Sequence, residues 1–120
     1  MVRIVYATRS GNGEKIVKSL NWTDDSLKIT DGTERVEGDY VIFTYSTGKG
    51  AVPKPVRTFL EANPGVKAVV GSGSLENHAE TFSFAADKIS EAYHVPVLAK
   101  VNGSGTAEDI KQIREALSNY

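Results

Sequence analysis

The chain has 120 residues, 40% of them hydrophobic and 24% charged, which suits one globular domain spanning residues 1–120 and is too little for two. Its 14 basic and 15 acidic side chains leave a formal net charge of -1, giving no field for nucleic acid or an anionic membrane, so partners are expected to be proteins or small molecules. Cysteine is absent, which excludes disulfides, thiolate metal sites and cysteine nucleophiles, so any redox chemistry needs a bound cofactor.

Val2 to Ala7 is a β-branched run suited to a buried strand, and from Glu14 the period becomes helical, with Ile16, Val17 and Leu20 on one face. Leu27 to Thr30 alternates apolar and polar residues and ends at the turn signal Asp31-Gly32, as an edge strand would. Tyr40 to Tyr45 reads as a central strand. Pro53 and Pro55 suit a helix start, and Val56, Phe59 and Leu60 form a stripe that stops near Asn63-Pro64-Gly65. Val66 to Gly71 is a fourth strand. A polar loop, Ser72 to Glu80, then leads to a helix with its apolar face at Phe82, Ala85, Ala86, Ile89, Ala92 and Tyr93. Val95 to Val101 is the fifth strand. The last helix opens on Thr106 as N-cap, with Glu108 and Asp109 in its first turn, and buries Ile110, Ile113 and Leu117. This alternation predicts an α/β three-layer sandwich around a five-stranded parallel sheet, order 2-1-3-4-5. The chain enters its first strand directly, and no apolar run approaches the roughly 20 residues that span a bilayer, so the expected location is cytoplasmic.

In that strand order, ligands bind where the carboxyl ends of strands one and three diverge. Three loops rich in small polar residues follow strands one, three and four: Thr8, Arg9, Ser10, Gly11, Asn12 and Gly13; Ser46, Thr47, Gly48, Lys49 and Gly50, running on to Val52; and Ser72, Gly73, Ser74, Leu75 and His78, running on to Glu80. The first lies at the mouth of a helix, whose unpaired amides and dipole attract an anion, while its glycines let backbone approach closely. The competing reading is an ordinary strand-to-helix turn with Ser10 or Asn12 as N-cap. No GxxxxGK[ST] occurs, and Gly11-Asn12-Gly13 lacks the third glycine of a dinucleotide loop, so a mononucleotide phosphate is favoured. Tyr6, Ala7 and Thr8 stand where a receiver domain would need acids.

These residues together resemble the NrdI family, small flavodoxin-like FMN proteins that serve the dimanganese class Ib ribonucleotide reductase. The likeness covers nearly the whole chain and rests on Thr8-Arg9-Ser10-Gly11-Asn12, Thr44-Tyr45-Ser46-Thr47 with Gly50 and Val52-Pro53, Gly71-Ser72-Gly73, Ala86-Asp87 with Ile89, Val95-Pro96, and Gly105-Thr106 with Asp109-Ile110. This chain departs from the family in lacking an aromatic residue in the third loop, which is about one residue longer, and in carrying Gly13 where threonine is usual. The resemblance implies a flavodoxin-like fold and FMN as cofactor, its phosphate on Thr8 to Gly13 and its isoalloxazine edge between Ser46 to Gly50 and Ser72 to His78. Second-loop carbonyls would accept the N5 hydrogen of the reduced ring, with Gly48 or Gly50 permitting the peptide to rotate. Lys49 would place a cation near the ring or point into solvent, and His78 would stack on the ring or be a surface histidine. His94, Trp22 and Tyr45 are read as structural. The implied partners are the dimanganese small subunit of the reductase, which receives oxidant made from reduced flavin and dioxygen, and a flavin reductant of unknown identity. No metal site and no side-chain catalyst is implied. The alternatives are a general electron-transfer flavodoxin and a flavin-free interaction module on the same fold.

Overall fold

The computed structural model describes residues 2–9, 11–22, 26–46, 50–73 and 84–120. In chain order the elements are β1 (Arg3–Tyr6), α1 (Asn12–Leu20), β2 (Leu27–Lys28), β3 (Tyr40–Thr44), α2 (Lys54–Ala62), β4 (Val66–Gly73), α3 (Phe84–Tyr93), β5 (Val97–Asn102) and α4 (Ala107–Leu117). All strand pairs are parallel and the order is β2-β1-β3-β4-β5, as the alternation of strand and helix patterns predicts.

The period-2 geometry of the strands divides their apolar residues between two faces. Ile4, Tyr6, Val41, Phe43, Ala68 and Val70 meet Ile16, Val17 and Leu20 of α1 and Ile113 and Leu117 of α4. Val5, Ala7, Tyr40, Ile42 and Val69 meet Val56, Phe59 and Leu60 of α2 and Ala86 and Ile89 of α3. Both faces are covered, which explains why β3 is apolar at nearly every position and fully buried. Two side chains join distant segments to this frame. Trp22 packs against the α1/α4 cluster and its indole N–H donates to the Val2 carbonyl at 3.2 Å. Arg114 of α4 donates to the carbonyls of Leu20 and Ser19, satisfying the end of α1 where orphan carbonyls and the negative end of the dipole gather.

Element ends differ from the sequence reading for local reasons. β2 stops at Lys28 rather than Thr30, although the Ile29 amide still donates to the Tyr6 carbonyl at 2.7 Å. Beyond it the Glu34 carboxylate accepts from the amides of Thr30, Asp31 and Gly32 at 2.9, 3.4 and 3.0 Å and folds the chain into a compact turn. β5 begins at Val97 rather than Val95, because His94 adopts φ 56 after α3 and the Val95 amide returns to the Ser90 carbonyl. In α3, Ala92 is exposed rather than part of the apolar face, and Phe82 lies outside the described residues.

Burial raises the Glu34 carboxyl, but the surrounding backbone N–H groups outweigh it and hold the group below the usual glutamate value of 4.5. Such a group adds stability that is complete above its unfolded pKa and vanishes as pH falls through its lowered folded pKa. Acidification from about pH 6 to about pH 3 is therefore expected to destabilise the wild type more than Glu34→Gln. Urea unfolding at the two pH values checks this, and equal losses in both proteins would remove Glu34 from the acid sensitivity.

Candidate functional site

Parallel pairing sets the carboxyl ends of β1 and β3 side by side, with Tyr6 opposite Phe43. The Ala7 amide extends the pairing by donating to the Phe43 carbonyl at 2.9 Å, after which the chains part, β1 into α1 and β3 into the second loop. The first and second loops thus meet at the point where the strand order reverses.

At the mouth of α1 the N-cap is Gly11, with φ 90, and no side chain caps the helix among the described residues. Asn12, one of the two N-caps of the ordinary-turn reading, lies inside the helix, and Ser10, the other, lies outside the described residues. The Thr8 hydroxyl oxygen accepts from the Gly11 amide at 2.9 Å, closing the loop on itself. The amides of Asn12, Gly13 and Glu14, in the first turn, have no intrahelical acceptor. Gly13 explains its own identity: a Cβ there would lie 2.8 Å from the Ala7 carbonyl oxygen, so the first turn sits against the end of β1 more closely than a side chain allows. Tyr6 tightens the same junction. Burial, and then the Glu14 carboxylate that accepts its phenolic hydrogen, raise its pKa.

The start of α4 is the internal contrast. Thr106 and Asp109 form a capping box in which the Thr106 hydroxyl accepts from the Asp109 amide at 3.2 Å and the Asp109 carboxylate accepts from the Thr106 amide at 2.9 Å. That helix supplies its own anion. Beside it a groove of about 630 Å³ is lined by Lys15 and Lys18 of α1 and by Gly105 and Thr106. Of these two helices on one face, only α4 has its first turn capped by a side chain among the described residues.

The second loop approaches the first through Tyr45, which packs partly buried against the α2/α3 cluster and carries the Arg9 guanidinium 5.8 Å above its ring centroid. Ser46 faces α3, its hydroxyl oxygen accepting from the Ala85 amide at 3.0 Å. Gly50 is buried with φ 91, and a Cβ on it would lie 2.6 Å from the Phe84 Cβ. Ser72 and Gly73 are the last residues of β4; Ser72 is buried and its hydroxyl donates to the Thr44 carbonyl at 3.4 Å, while the Gly73 carbonyl accepts from Gly103. Thr47, Gly48, Lys49, Ser74, Leu75 and His78 lie outside the described residues. The arrangement brings Thr8, Arg9, Gly11, Asn12 and Gly13 to one edge with Ser46 and Gly50. Phe84, 39% exposed beside Gly50, and the stacking of Arg9 on Tyr45 were not picked out as site features; an aromatic residue at a helix start off the apolar face was the one available signal.

Comparisons with known proteins agree with this fold. The family described as NrdI flavodoxin-like matches residues 4–115. A protein NrdI of Bacillus licheniformis is 33% identical over 111 residues, covering 92% of this chain and 83% of that relative. A protein NrdI of Ruegeria is 33% identical over 123 residues, covering 98% of this chain and 88% of the relative. A short-chain flavodoxin associated with a non-canonical PDU bacterial microcompartment superposes with a TM-score of 0.70 at 20% identity, over 95% of this chain and 91% of that one, a likeness of fold. With a family match over most of its length and relatives at a third identity, the chain belongs to the NrdI flavodoxin-like family.

Proposed function

We propose that this chain is an FMN-binding redox protein that supplies oxidant or electrons for assembly of the dimanganese tyrosyl-radical cofactor of class Ib ribonucleotide reductase, in the cytoplasm. The observation that carries the reading is the first turn of α1 at the switch point, which no side chain among the described residues caps, in a chain whose α4 closes its own N-terminus with Asp109. An anion fits the first and not the second. The amides of Asn12, Gly13 and Glu14 would hold the phosphate, the Thr8 hydroxyl keeps a hydrogen to donate, and Arg9, held over Tyr45, adds positive charge beside it. Bound FMN supplies the one-electron and dioxygen chemistry that no side chain of this chain offers. The second and third loops would flank the ring edge, with Ser46 and Gly50 setting the backbone on one side of it. The partners of this reading are the dimanganese small subunit and a flavin reductant.

The test is uptake of FMN by the purified protein, followed by its visible spectrum and by quenching of flavin fluorescence. One equivalent bound is the expected result, and a colourless protein that takes up none overturns the reading. Radical yield in the manganese-loaded small subunit, with the reduced chain against an unrelated reduced flavodoxin, then separates a dedicated donor from a general electron carrier.

A further inference from the structure

Both described ends of the second loop are attached to α3. Ser46 accepts from the Ala85 amide across 39 residues of sequence. That amide lies in the first described turn of α3, so the hydroxyl ties the remote loop to the backbone of that helix. Four positions on, Gly50 lies under Phe84: its missing Cβ would be 2.6 Å from the Phe84 Cβ and 3.0 Å from ring atom Cδ2. Phe84 is 39% exposed, whereas the neighbouring Ala85 and Ala86 are the residues of that turn that fill the core. The ring covers the loop rather than the interior of the protein.

We propose that Ser46 and Phe84 are positioning residues, which set the reduction potentials of the flavin by clamping the second loop to the first turn of α3. The inference rests on the FMN reading above. A backbone carbonyl of this loop would reach the N5 hydrogen of a reduced ring only if the loop is held beside the ring, and fixing its two ends confines movement to the peptide that turns. Phe84 acts through Gly50, and Ser46 through Ala85.

Ser46→Ala, Ser46→Thr and Phe84→Ala, each loaded with FMN, are compared with the wild type by titration for Kd and by anaerobic reductive titration for the one-electron potentials. Exchange of the Ala85 amide hydrogen in the flavin-free protein is followed alongside. Ser46→Ala and Phe84→Ala are expected to disfavour one-electron reduction at least tenfold, a fall of about 59 mV. Ser46→Ala should also speed exchange at Ala85, and Ser46→Thr, which keeps the acceptor oxygen, should restore both properties. If Phe84→Ala does not fold, Phe84→Leu takes its place. Wild type that binds FMN, with variants that keep its potentials or with Ser46→Thr no better than Ser46→Ala, overturns the clamp alone. Wild type that takes up no FMN overturns the functional reading, and the clamp falls with it.

Discussion

Gly11→Val is expected to weaken FMN binding by about ten- to a hundredfold while leaving global stability close to that of the wild type. Gly11 has φ 90, a region that a β-branched residue enters at a cost of roughly 1–3 kcal/mol, and about 1.4 kcal/mol corresponds to a tenfold change in Kd. Among the described residues other than its chain neighbours, no atom lies within 4 Å of the missing Cβ, so the penalty expected there comes from backbone conformation. The free protein can relieve it by turning the loop away from its present shape. Binding must then restore the conformation that presents the first-turn amides, so the strain appears in Kd rather than in unfolding. Fluorescence titration alongside urea unfolding checks both halves. An unchanged Kd would remove the phosphate from this loop.

Asn63→Ala is expected to lower stability by about 1–3 kcal/mol without changing flavin affinity. Asn63 is buried at the amino end of β4, on the edge of the sheet opposite the site. Its side-chain amide nitrogen donates to the Phe59 carbonyl at 2.9 Å and the Glu34 carbonyl at 3.1 Å, and its side-chain oxygen accepts from the Val36 amide at 2.9 Å. Its own carbonyl accepts from the Tyr40 hydroxyl at 2.6 Å, and burial raises the pKa of that phenol, keeping it a donor. Truncation to alanine removes three hydrogen bonds at once and takes the acceptor from the Val36 amide, while the Phe59 carbonyl keeps the Asn63 backbone N–H at 3.0 Å and the Glu34 carbonyl keeps the Arg35 guanidinium at 3.4 Å. Asn63→Asp retains the acceptor and loses both donors, so it should rescue little. Thermal unfolding and FMN titration together test the prediction, and loss of flavin binding in a folded Asn63→Ala protein would contradict the separation of the two edges.

The same residues show what a sequence carries and what it does not. Strand order was legible because β1, β3 and β4 are β-branched and apolar while helical stripes such as Val56, Phe59 and Leu60 separate them, and parallel crossovers leave few arrangements. The tight strand-to-helix junction at the mouth of α1 was legible because glycine and hydroxyl residues between a strand and a helix have a local physical meaning. Asn63 was read only as a stop signal, since its three side-chain bonds reach 4, 27 and 29 residues away and leave no periodic trace. The bond from Ala85 to Ser46 and the contact of Phe84 with Gly50 were hidden for the same reason. Gly13 was noted as a departure from the family's threonine, but its cause, the 2.8 Å approach to Ala7, exists only once β1 and α1 are packed.

The Arg114 bridge gives the order of assembly a direction. The helix α1 has its far end closed by a side chain 94 residues later, and it shares a core with Ile113 and Leu117 from the same helix as that side chain. During synthesis the ribosome delivers that guanidinium long after the carbonyl it closes, so the strands and helices between them wait, incompletely secured, for the closing helix to emerge. On the FMN reading, flavin capture is therefore expected to follow the emergence of α4 rather than precede it.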